Sequence, residues 1–122
     1  MKVLKVDNQS IAIYFNQQEI VVETVAQLQK DMSTFGIEIT FSGNMHSVYN
    51  ELHSQLVNAI HQIGISGTKI YSILYRIDIS EKEIAQATAD NPHYNQVEVL
   101  AHQMILRELK KVLTRRAIAG KM

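Results

Sequence analysis

The feature that most constrains the fold is a long segment near the end of the chain with a wide apolar face. From about Tyr94 or Asn95 to Ala119 the sequence has helical periodicity and contains no proline. At about 100° per residue, apolar side chains cover more than half of the helix circumference; they are Val97, Leu100, Ala101, Met104, Ile105, Leu109, Val112 and Leu113. Such a helix belongs at the centre of a bundle or in an interface, because a surface helix has a narrower apolar stripe.

Residues 1–43 predict a small antiparallel sheet around one helix. Lys2–Val6 and Ser10–Phe15 alternate or run apolar on either side of the polar turn at residues 7–9, which indicates a β-hairpin. Ile37–Phe41 alternates apolar and polar side chains and is placed as a third strand beside the hairpin. We therefore expect an α+β fold, mostly helical, with about three short N-terminal strands packed on a helical cluster and a long C-terminal helix.

Capping signals mark the starts of two helices. Asn16 with Glu19, and Ser80 with Glu83, have the spacing of a capping box, in which two side chains satisfy backbone N–H groups of the first turn. Asn16 and Ser80 are therefore predicted N-caps. The helices predicted before the last one cover residues 16–35, from about 44 or 47 to 63, and from 81 to about 90.

Residues 68–79 fit two structures. Apolar positions 70, 73, 74 and 77 are spaced as in a helix, whereas positions 73, 75, 77 and 79 alternate as in a strand. We favour a helix, because Tyr71 and Tyr75 then lie on one side. The 122 residues are the length of one ordinary domain and contain no linker. We therefore treat 1–122 as one domain, with 1–43 as its mixed portion and 44–122 as its helical portion.

The neutral total charge of the chain conceals an asymmetry. Residues 104–122 contain six basic residues and one acidic residue, a net charge of +5, and the rest contains six basic and eleven acidic residues, a net charge of −5. Clustered like charges favour an acidic partner, a nucleic-acid backbone or the acidic portion of another copy. The predicted partner-binding residues are Leu106, Leu109, Leu113, Arg107, Lys110, Lys111, Arg115 and Arg116.

These features favour a non-enzymatic protein-interaction or self-assembly module that works through its last helix. Its partner is predicted to be a second copy, most simply in a twofold homodimer, or another protein. The alternative is a nucleic-acid-binding module, because the basic C-terminal segment can contact phosphates. A small-molecule enzyme with a buried Glu108 is the third hypothesis.

Glu108 is the residue of the last predicted helix that most suggests a chemical role. It lies within the apolar face of the last helix, where a carboxylate needs partners. Arg76 is a cation in a similarly apolar stretch, and Arg115 lies about two turns beyond Glu108 on the same side. We predict a structural ion pair between Glu108 and Arg76, with Arg115 as the other possible partner; a catalytic carboxylate with a raised pKa is the sharper alternative.

The remaining motifs predict no metal, no cofactor and no catalytic set. Cysteine is absent, and no two of the five histidines have the spacing of a helical zinc site. Glu98 and His102 lie one helical turn apart and are predicted to form a local ion pair or, with a third group, an acid–base couple. The start of the chain lacks the apolar run of a signal peptide, and no segment approaches membrane-spanning length, so we predict a cytoplasmic protein without membrane contact.

Overall fold

The computed structural model describes residues 7–65 and 67–121, and the regular secondary structure in these ranges is entirely helical. The expected α+β fold is therefore wrong, because the described residues form no strand. The helices are α1 (Asn8–Tyr14), α2 (Gln18–Ser33), α3 (Val48–Ile63), α4 (Thr68–Ile77), α5 (Glu81–Asp90) and α6 (Gln96–Ile118).

Ser10–Phe15, predicted as the second strand of the hairpin, lies largely within α1. The helix begins with a capping box: the Gln9 N–H donates to the Asp7 carboxylate at 3.0 Å, and the Asp7 N–H donates to the Ser10 hydroxyl at 3.1 Å. Asp, Asn and Ser favour helix caps and turns alike, so the same polar residues were open to either interpretation. The first predicted strand, Lys2–Val6, lies outside the described residues.

Ile37–Phe41 has the alternation of a strand but no neighbouring strand. The amide group of Gln55 accepts from the Thr40 N–H and donates to the Thr40 carbonyl, both at 2.8 Å. Gln29 donates to the carbonyl of buried Ile39 at 2.9 Å. Backbone groups that a sheet would have satisfied are thus satisfied by side chains, and the alternation reflects a segment with one buried face.

Two of the other helix predictions are confirmed and one is wrong. The helix favoured within residues 68–79 is confirmed as α4 (Thr68–Ile77), and its C-cap is Asp78, whose φ of 71° lies in the left-handed region that Asp tolerates. Ser80 is confirmed as the N-cap of α5, since its hydroxyl accepts from the Glu83 N–H at 3.1 Å. The N-cap predicted at Asn16 is wrong: α2 begins at Gln18 after Gln17, because the turn that ends α1 occupies the intervening residues.

Helix α6 lies at the centre of the core, as its wide apolar face predicts. It contacts each of the other five helices of the described chain. Leu100, Met104, Ile105 and Leu109 are almost completely shielded from solvent. An apolar arc this wide is stable because helices of the same chain surround it. None of the helices in the described ranges is both long and apolar enough to cross a lipid bilayer.

Candidate functional site

The three leucines predicted to bind a partner are buried within the chain. Leu106 is 7% exposed, Leu109 is 0% exposed and Leu113 is 1% exposed. Leu109 and Leu113 belong to the hydrophobic core cluster. The apolar face of α6 is therefore covered by the protein's own helices.

Two arginines of the basic segment pair with acidic residues of earlier helices. The guanidinium group of Arg107 lies 2.8 and 2.9 Å from the carboxylate oxygens of Glu83 in α5. Arg116 contacts both Glu23 and Glu19 of α2, the latter at 3.2 Å. The positive and negative portions of the sequence thus meet inside one chain.

Two other predicted contact residues are without a carboxylate partner among the described residues. Arg115 donates a hydrogen bond to the side-chain carbonyl of Gln27 at 3.0 Å. Lys110 forms no ion pair within the described ranges. A phosphate backbone would therefore meet these two cations of α6 more readily than the full basic cluster.

A buried ionic cluster joins α2, α4 and α6. Asp31, 2% exposed, accepts from Lys111 Nζ at 2.9 Å and from Arg76 Nε at 3.2 Å. Glu108 is 0% exposed, and its Oε1 lies 3.0 Å from Lys111 Nζ. The ion-pair partner of Glu108 is therefore Lys111 and that of Arg76 is Asp31, so the predicted Arg76–Glu108 pair is not formed between these described residues.

The two carboxyl groups of this cluster differ in protonation. Burial, and the neighbouring carboxylate of Asp31, raise the pKa of Glu108 to about 8, although Lys111 opposes the shift. Burial also raises the pKa of Asp31, but the neighbouring Glu108 carboxyl group and the hydrogen bonds from Lys111 and Gln27 outweigh it and lower this pKa to about 2. Neither oxygen of Glu108 accepts an aligned hydrogen bond, an arrangement that costs less for a neutral carboxyl group than for a carboxylate.

A polar cavity between α1, α3, α6 and the α5–α6 loop holds the side chains best suited to a ligand. Its volume is about 370 Å³. Its polar lining residues are Asn8, Tyr49, Asn50, His53, Asn91, Tyr94, Glu98 and His102. Ligand sites generally combine an enclosed volume of this order with aromatic walls and a few fixed polar groups.

His102 is the centre of a hydrogen-bond chain in this cavity. Its Nδ1 bonds to the hydroxyl of Tyr49, and its Nε2 lies 2.6 Å from Oδ1 of Asn8. Because an amide oxygen can only accept, Nε2 carries the hydrogen and Nδ1 accepts from the tyrosine. Both ring nitrogens are engaged, so the imidazole is held in one orientation.

His53 extends the cavity wall along α3. Its ring stacks on that of Tyr49, one turn earlier, with centroids 5.6 Å apart and an interplanar angle of 20°. Its Nε2 donates to the backbone carbonyl of Glu98 at 3.0 Å. In the neutral ring Nδ1 then remains an acceptor.

Burial holds the central pair of this chain in its neutral form. Burial, followed by the charge of His53, lowers the pKa of His102. Burial, followed by the influence of Tyr94, raises the pKa of Tyr49 to about 12. Glu98 is the one acidic side chain among the described lining residues, and the lining contains neither lysine nor arginine.

Comparison with known proteins found no relative of this chain. No family model, curated protein or solved structure matches this chain. No group of three or more His, Asp or Glu side chains in the described part of the chain is arranged to hold a metal ion.

The sequence predicts only part of this cavity. It pairs Glu98 with His102, whereas Glu98 accepts from the Asn95 N–H at 3.2 Å in the capping box of α6, and His102 bonds to Tyr49 and Asn8. These partners of His102 lie 53 and 94 residues away in the sequence, where spacing gives no signal. The one-turn separation of Tyr49 and His53 is the local signal that could have identified α3 as a wall.

Proposed function

We propose that this protein is a non-enzymatic module that binds a small polar molecule in the cavity between α1, α3 and α6. The observation that carries the proposal is the chain from Asn8 through His102 to Tyr49, which fixes polar groups around a partly open cavity of about 370 Å³. Side chains held in this way lose little further conformational freedom when a ligand arrives, which favours affinity.

The same chain favours binding over catalysis. Both nitrogens of His102 are already bonded, so the ring can take a proton from a substrate only by releasing Tyr49. The raised pKa of Tyr49 keeps its hydroxyl protonated near neutral pH and therefore weakly nucleophilic. Glu108, the residue of the enzyme hypothesis, is 0% exposed and thus closed to a substrate.

A thermal-shift screen of small polar metabolites tests the proposal. A ligand at a hundred times its Kd adds about 2.7 kcal/mol of stability and shifts the melting temperature by roughly 10 °C in a domain of this size. Tyr94→Leu alters a residue of the cavity that is 59% exposed, and Tyr75→Leu is its matched control on α4, 90% exposed. We expect hits that stabilise the wild type and Tyr75→Leu but not Tyr94→Leu. Hits that stabilise all three proteins equally, or an empty screen, would remove the proposal.

Self-association and nucleic-acid binding stay as secondary proposals. A homodimer or other protein complex would use the exposed surface, since Leu106, Leu109 and Leu113 are buried. Light scattering over a range of protein concentration tests self-association.

Nucleic-acid binding would draw on Lys110 and the arginines now paired with glutamates. It requires affinity for labelled DNA or RNA that falls steeply with salt concentration. The cytoplasmic location also stays a prediction.

A further inference from the structure

We infer that the molecule bound in this cavity is a small alkylammonium cation, from a primary to a quaternary amine. The inference rests on the proposed function and specifies its ligand class. It combines two properties of the cavity: a lone carboxylate, Glu98, and walls made of aromatic rings.

The charge of the described lining favours a cation. Glu98 is its only acidic residue, and the lining contains neither lysine nor arginine. No lysine or arginine of the wall offsets the charge of Glu98, so a positive ligand gains attraction that a neutral or negative one lacks. A carboxylate oxygen has two acceptor sites, and one hydrogen bond from the Asn95 N–H leaves capacity for a ligand.

The aromatic walls favour the same ligand class. The rings of Tyr49, His53, Tyr94 and His102 line the cavity, and those of Tyr49 and His53 are stacked. The face of a tyrosine ring attracts ammonium groups through its quadrupole, and cavities lined by several rings suit alkylated amines, whose methyl groups bind by burial of apolar surface. Rings and carboxylate together therefore match both the alkyl and the charged part of the ligand.

The N-terminus of α6 does not reverse this preference. Helix N-termini attract anions through free N–H groups. Here Asn95 accepts from the Glu98 N–H at 2.8 Å, and the Glu98 carboxylate accepts from the Asn95 N–H. The protein's own capping box, with its negative charge, thus occupies the place that an anion would take.

Three probes of similar shape separate charge from size. The full-length protein is titrated with choline, with its neutral analogue 3,3-dimethylbutan-1-ol and with the anion 3,3-dimethylbutanoate, and binding is followed by NMR. We expect choline to bind at least tenfold more tightly than the alcohol, and the anion to bind most weakly. Equal affinities for choline and the alcohol, or tighter binding of the anion, would overturn the inference, as would the absence of choline binding.

Matched variants locate the site. Glu98→Gln removes the charge but keeps a residue that completes a capping box, so the helix start is preserved. We expect it to weaken choline about tenfold and leave the alcohol unchanged, while Glu38→Gln, an exposed control, changes neither. An unchanged choline affinity in Glu98→Gln would refute the role of the carboxylate. If the alcohol or the anion bound at least as tightly as choline and lost affinity in Tyr94→Leu, the proposed function would stand and the cation inference would be refuted.

Discussion

Replacing Glu108 by glutamine tests whether the buried carboxyl group is neutral in the folded protein. Glutamine has nearly the same shape as protonated glutamate, so its uncharged amide group can lie beside Asp31 and Lys111 as the neutral carboxyl group does. The substitution therefore removes the titration and leaves the packing in place. If Glu108 were ionised, the substitution would instead remove a negative charge that pairs with Lys111.

The magnitude follows from the pKa of Glu108, which rises from 4.5 to about 8 on folding. A group with a raised folded pKa contributes stability that is fully present below the unfolded pKa, here 4.5, and is lost as the pH rises through the folded pKa. The loss is about 1.4 kcal/mol per pH unit, or about 3 kcal/mol between pH 4.5 and pH 7. Glutamine has no proton to lose, so Glu108→Gln avoids this loss.

Urea unfolding of both proteins at pH 5, 6, 7 and 8 measures the difference. We expect near-equal stability at pH 5 and a variant more stable by about 3 kcal/mol at pH 7, with the gap widening by about 1.4 kcal/mol per unit. Asp31, whose pKa is lowered to about 2, titrates below this range and does not contribute to the trend. Glu38→Gln, at an exposed carboxylate, should stay within about 0.5 kcal/mol of the wild type at every pH.

An ionised Glu108 would give the opposite result in this experiment. If Glu108 were ionised and paired with Lys111, the glutamine variant would lose about 3–5 kcal/mol, the cost of breaking a buried ion pair. That loss would not shrink as the pH rose from 5 to 8. A destabilised variant with a constant deficit would therefore refute the assignment of a neutral carboxyl group.

Three further changes test the remaining contacts. Asp31→Asn removes the carboxylate shared by Lys111 and Arg76 and should cost about 3 kcal/mol in urea unfolding, with a smaller cost when Lys111 is replaced by methionine as well; equal costs would deny the coupling. Ser80→Ala should cost about 1 kcal/mol and Asn16→Ala less than about 0.5 kcal/mol, because only Ser80 caps a helix; a reversed order would contradict the cap assignment. His102 has a lowered folded pKa, so its contribution to stability is present above pH 6.5 and is lost as the pH falls; His102→Gln should abolish this dependence, and an unchanged pH profile would exclude His102 as its source.

The helices predicted from the sequence are those with long periodic segments and local stops. For α6, residues 96–118 carry both the apolar face and the capping box at Asn95 and Glu98, so local signals agree. Ser10–Phe15 and Ile37–Phe41 are short, and over five or six residues the periods of a strand and of an exposed turn of helix are hard to separate. Contacts distant in sequence, such as the bonds from Gln55 to Thr40, hold Ile37–Phe41, whereas the local capping box of Asp7 and Ser10 begins α1.

The candidate site was less accessible to sequence reasoning, because its chemistry is produced by tertiary contacts. His102 has ordinary neighbours within α6, and its distinctive partners come from α1 and α3. Glu108 was recognised as unusual from its apolar surroundings, yet its partnership with Asp31 depends on how α2 packs against α6. Helical periodicity can indicate that a charged residue is buried, but it cannot name a partner on another helix.

The charge asymmetry of the sequence has a structural explanation that does not require a partner. A central helix with many basic residues attracts acidic residues on the helices packed around it, and Glu19, Glu23, Asp31 and Glu83 occupy those positions. Each arginine–glutamate pair at the surface contributes little individually, and salt screens it. The pairs nevertheless disfavour arrangements in which α2 or α5 packs against another face of α6, because these would separate opposite charges. The clustered charges therefore help to select the packing of this protein's own helices, since Arg107, Lys111 and Arg116 of the basic segment all pair with carboxylates of the same chain.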